Sequence, residues 1–110
     1  MNAATFFGFA LALSSFLWSI SGFYRPRFEG REHVVMNWGF DLKPNSYASP
    51  RVALAITPAV GTLVMLMIAT LSTILTPQDQ RLAALGAMIF AFIVIAGIHA
   101  AHLHFAAKAE

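Results

Sequence analysis

The sequence contains no cysteine, which excludes a disulfide framework, a thiolate metal site and a cysteine nucleophile, and leaves the redox compartment unread. Charge is nearly as scarce. Only 11% of the 110 residues are charged while 58% are hydrophobic, a balance that ordinary soluble domains do not carry. The net charge of +2 is small and lies outside the apolar runs, so the basic footprint of a nucleic-acid binder is missing. No catalytic pair is evident either. Glu29, Glu32 and Asp41 are flanked by basic residues, and the serines have no base at a recognisable spacing. These absences point to a membrane protein that is not an enzyme.

What the sequence does have is three long apolar runs, each near the roughly 20 helical residues needed to cross about 30 Å of hydrocarbon. The first covers about residues 5–24, and no charged side chain occurs before Arg25. It lacks a basic lead-in, so it reads as a retained span rather than a cleaved signal peptide. The second covers about 51–75. Ser49 is its expected N-cap, Pro50 its first residue, and Pro58 should leave the Leu54 carbonyl without its helical partner and bend the helix. The third covers about 78–106 and is entered through Thr76, Pro77 and Asp79, a capping pattern. The expected fold is one all-α integral membrane domain over 1–110, with three transmembrane helices and a long, partly interfacial loop, 25–50, between the first two.

Within the first span Gly8, Ala12, Ser15, Ser19 and Gly22 recur at steps of three and four, a small-residue face that lets another helix approach closely. A second such stripe, Ala55, Ala59, Thr62, Ala69, Thr73 and Thr76, is expected to meet it. Phe6, Phe9, Leu13, Phe16 and Ile20 lie opposite the first stripe and suit lipid or a partner.

The third span ends in IHAAHLHFAAK. His99 and His102 share a helix face, whereas His104 lies about 200° further round from His102. Interfacial histidines with no ligand are the plain reading. Axial ligation of haem or chlorin, or a metal shared with a partner chain, is the alternative for His99 and His102. The hydroxyls at the depth of His99 are those of Ser19 and Ser21, so His99 is expected to hydrogen-bond a neighbouring helix or water.

Three spans put loop 25–50 and the C-terminus on one side. Arg25, Arg27, Arg31, Lys43, Arg51 and Lys108 lie there and Arg81 alone opposite, which places the loop in the cytoplasm of a bacterial inner membrane, facing anionic headgroups. The loop is too long for a simple turn. Pro44, Asn45 and Ser46 should turn the chain, with Trp38, Phe40 and Tyr47 lying in the interface.

The stretch NWGFDLKPNSYAS, Asn37 to Ser49, resembles the signature of a small membrane domain of unknown function found at the N-terminus of SdpI-type immunity proteins. Trp38, Pro44, Tyr47 and Ser49 fall at matching positions between a first and a second helix, and the likeness covers about residues 5–75. Asn37 stands where that family has histidine, and Leu42 where it has glycine. The resemblance implies partner binding through Trp38, Phe40, Pro44, Tyr47 and Ser49, and the basic residues that precede the first span in many members imply the opposite sidedness. Taken together, the sequence supports a non-catalytic interaction module or accessory subunit, partnered by lipid and by other membrane subunits or itself. A ligand-holding subunit using His99 or His102, and an oligomeric small transporter, are the alternatives.

Overall fold

Asn2 starts the first helix by accepting hydrogen bonds at Oδ1 from the backbone N–H and the hydroxyl of Thr5, both at 2.9 Å, and helix α1 runs over Ala3–Tyr24. A computed structural model describes residues 2–38 and 44–108. After α1 come a 3-10 turn, Arg25–Phe28, and a two-stranded antiparallel hairpin of β1, Val34–Trp38, and β2, Pro44–Ala48. Helix α2, Pro50–Leu75, follows, and a second 3-10 turn, Gln78–Gln80, leads into α3, Arg81–Lys108. The helix limits match the three apolar runs closely, because caps and prolines mark them. Ser49 accepts from Val52 N–H and Pro50 occupies the first turn of α2.

The chain is thus mostly helical, with three helices long and apolar enough to cross a membrane. Their outer surfaces are apolar as well: Phe23, Leu63, Ile74, Leu82 and Phe90 are each about two-thirds exposed or more. A helix that is hydrophobic all round must be covered by something. Over their most apolar stretches the three are only 22%, 28% and 17% buried by the rest of the chain, which is compatible with contact to a lipid bilayer.

The hairpin is the first departure from expectation. Residues 44–46 are strand rather than turn, and the register pairs Val34 with Ala48, Val35 with Tyr47, Asn37 with Ser46 and Trp38 with Pro44. Irregularities on both sides of Asn37 let the strand accommodate Pro44 at its first residue, where no ladder donor is needed. Two edge strands this short need support. Val34 and Val35 provide it by burying against the bundle: Val34 joins Phe28, Ala53, Leu103 and Ala106 in a core at the hairpin end. A second core, Phe6, Ala10, Met65, Ala69, Leu85 and Met88, fills the other half.

The second departure concerns α1. Its buried residues are Phe6, Ala10, Leu17, Ser14 and Ser21, while Gly8, Ala12, Ser15, Ser19 and Gly22 are all exposed. The small stripe therefore points roughly 160° away from the packed face by the helical period. On α2 the buried line is Ala53, Pro58, Gly61, Met65, Ala69 and Ser72, so of the stripe expected there only Ala69 is fully buried. Small-residue spacing was misleading because larger groups interlock instead. Leu17 enters the space over Gly61, where an added Cβ would clash with Leu17 Cδ1 and stand 3.3 Å from Ile95 Cγ2. Gly61→Ala should then cost about 1–3 kcal/mol through overpacking, read as a lower unfolding midpoint in micelles. The same change at Gly8, where a Cβ meets nothing within 4 Å, should leave the midpoint unchanged or raise it.

Candidate functional site

The polar groups of the helices converge at the hairpin end, and their arrangement starts from a missing donor. Pro58 lies inside α2 and has no N–H for the carbonyl of Leu54 four residues earlier. Ser21 of α1 donates its hydroxyl to that carbonyl across the helix pair. By contrast Ser14, Ser15 and Ser19 donate back to carbonyls of their own helix, at Ala10, Leu11 and Ser15. With the Ser21 proton committed to Leu54, its oxygen accepts from His99 Nε2 of α3, 2.7 Å away. One hydroxyl joins all three helices.

His99 is fully buried, on the α3 face that carries Leu85, Met88 and Leu103. With Nε2 as the donor, His99 Nδ1 is left buried with no hydrogen-bond partner among the described residues, the arrangement that suits an Nε2–H tautomer. One turn later His102 donates from Nε2 to the carbonyl of Val35 at 2.8 Å, tying β1 to α3. Arg31 completes the attachment. Its two terminal nitrogens reach the carbonyls of Ala106 and Ala107 at 3.0 and 2.7 Å, a cation at the negative end of a helix, and its guanidinium stacks 5.3 Å above the Phe28 ring. Arg81 does the same for α2, donating to Thr73 and Thr76 carbonyls.

The hydrogen bond to a neighbouring helix expected of His99 is present, and Ser21 rather than Ser19 is its partner. The Nε2 atoms of both histidines considered as ligands are engaged within the chain, and among the described residues no three His, Cys, Asp or Glu side chains cluster as a metal site would require. His104 is half-buried beside Phe105. Of the docking residues, Tyr47 is 57% exposed on β2, its ring edge-on to His33. Ser49 serves as the α2 cap, Trp38 and Pro44 close the described end of the hairpin, and Phe40 lies outside the described residues. Sequence reasoning missed the Arg31 and Val35 contacts. Both join residues far apart in the chain, for which periodicity carries no signal.

A cleft of about 470 Å³ opens beside this node between the end of α1 and the start of α2. Ser21 and Leu54 form part of its wall, and Arg25, Arg31 and Arg51 are at its rim. Comparison with protein-family models, curated proteins and solved structures finds no match for this chain.

The three-way tie predicts a thermodynamic cycle. Ser21→Ala and His99→Phe should each destabilise by about 1 kcal/mol and couple by about 0.6 kcal/mol, with an upper value near 1.7, the range for hydrogen bonds between membrane helices. In a Pro58→Ala background Leu54 regains a backbone donor, so the loss from Ser21→Ala should fall by about half. Unfolding titrations in mixed micelles read both quantities.

Proposed function

We propose that this chain is a non-catalytic integral membrane protein, inserted through α1, α2 and α3, that acts as an interaction module or accessory subunit for other membrane subunits or a second copy of itself. One observation carries the reading. The stripe Gly8, Ala12, Ser15, Ser19 and Gly22 has the composition that lets helices approach closely in lipid, and no helix of this chain occupies it. Its serine hydroxyls at 15 and 19 are already satisfied in their own helix, so a partner helix meets a smooth surface without an unpaired donor. Phe9 and Phe16, from the aromatic face of the same helix, add apolar area at 40% and 64% exposure.

The hairpin supplies a second contact surface under the same proposal. Held by His102 and Arg31, it presents Tyr47 outward, which agrees with SdpI-like partner binding through residues 37–49. The six basic residues on the hairpin side against one on the other support a cytoplasmic hairpin and C-terminus in a bacterial inner membrane.

Two measurements test this. Ser15→Leu and Ser19→Leu together should leave the unfolding midpoint within about 0.5 kcal/mol, since both sites are exposed, while abolishing association seen by size in nanodiscs or by crosslinking in native membranes. A wild type that is strictly monomeric and co-purifies with nothing would refute the proposal. For orientation, Asn45→Cys should resist a membrane-impermeant thiol reagent in intact cells and react after lysis. Labelling in intact cells would reverse the topology.

A further inference from the structure

From the cleft between α1 and α2 we infer a binding site for the phosphate-bearing headgroup of an anionic lipid. The inference rests on insertion of the three helices in a bilayer, and of the proposed partner stripe the cleft includes only Gly22. The cleft's volume of about 470 Å³ falls within the roughly 300–1,000 Å³ typical of small-molecule sites, and its lining is divided in a way that a lipid would match. Toward the hairpin it is lined by Arg25, Arg51 and Arg31, with Glu29 as the acidic group. Toward the middle of the helices it is lined by Trp18, Gly22, Leu54 and Ala55.

Charge gives the headgroup its sign. Arg25 and Arg51 are exposed and, among the described residues, form no ion pair, whereas Arg31 is fixed on the end of α3 and Arg27 lies over the rings of Phe23 and Tyr24. A guanidinium fork matches phosphate oxygens in a two-point contact. The site also meets the first turn of α2, whose helix dipole is positive at that end. Arg25 and Arg51 against Glu29 leave an excess of positive charge for an anion to offset.

Depth and shape give the tail. The rim lies where α1 ends at Tyr24 and α2 begins at Pro50, the level at which both chains leave the apolar stretch. Below it the wall is apolar apart from Ser21, whose hydroxyl is committed to the Leu54 carbonyl, and Trp18 is anchored across the seam by its Nε1–H to Thr62 Oγ1 at 3.2 Å. A free phosphate would use the rim and leave this lower wall empty. Gly22 holds the lower part open, because a Cβ there meets nothing within 4 Å, so a side chain can be added without a clash.

The full chain in detergent micelles, offered dioleoyl phosphatidylglycerol or dioleoyl phosphatidylcholine, tests the site by native mass spectrometry of retained lipid. The phosphatidylglycerol should be retained in preference, and Arg25→Gln with Arg51→Gln should reduce its retention about twenty-five-fold, given about a fivefold contribution per basic residue near an anionic surface. Gly22→Leu should reduce it without changing any charge. Arg27→Gln with Lys108→Gln, outside the cleft, should have no effect. Circular dichroism of each variant separates loss of lipid from loss of helix. Equal retention of the two lipids, or equal losses in the control pair, would overturn the site. Displacement by glycerol phosphate at the same concentration would reduce it to a free-anion site, and displacement by an acidic peptide would turn it into a protein contact, either of which also overturns it. Alkaline carbonate extraction distinguishes the deeper failure: release of the chain from membranes refutes insertion itself, whereas a retained chain without lipid preference refutes only the site.

Discussion

The architecture depends on a hydrogen bond that α2 cannot make. A carbonyl deprived of its donor between packed helices is expensive to leave unpaired, and Pro58 creates one at Leu54, part-buried between α1 and α2. Ser21 satisfies it from α1, and in doing so presents an oxygen to His99 on α3. Each partner therefore fixes the next: the proline sets the acceptor, the acceptor orients the hydroxyl, and the hydroxyl selects the imidazole tautomer. Dispersion packing alone would define the three helices less sharply, since it is non-directional and one apolar contact differs little from another. The directional chain fixes the rotation of all three helices about their axes.

The two ends of the molecule solve different problems. Away from the hairpin, the core of Phe6, Met65, Ala69, Leu85 and Met88 is held by shape, with Arg81 closing the end of α2. At the hairpin end the backbone groups are satisfied by side chains from distant segments, through Arg31 on α3 and His102 on β1. The hairpin is thereby part of the bundle rather than a loop above it.

Much of this was legible in the sequence, and what was not has a physical explanation. The helix limits follow from charge, from Ser49 with Pro50, and from the length a bilayer requires. The consequence of Pro58 for Leu54 is backbone chemistry and needs no structure. The strands at 34–38 and 44–48 were not legible, because five-residue strands with an irregular register give too little alternation to count. The packed faces were misjudged because a small-residue stripe says that a close approach is available without saying to whom. On α1 the intrachain neighbours took the other side, with Leu17 interlocking over Gly61. His99 could be placed near Ser21 by counting residues along two helices, but the choice between Ser19 and Ser21 depends on the angle of α1, which the sequence does not show.

The tethers of the hairpin also set an order of assembly. Val35 waits for His102, and Arg31 for Ala106 and Ala107, across separations of 67, 75 and 76 residues. On a chain made from its N-terminus, α1 and α2 can pair and Ser21 can find Leu54 while these partners have yet to be synthesised. The hairpin has the apolar contact of Val34 with Phe28 and Ala53 before then, and acquires these polar anchors only when the end of α3 arrives. Completion of α3 is thus the step that locks the hairpin: until it happens, the segment that carries Tyr47 lacks its ties to Ala106, Ala107 and His102.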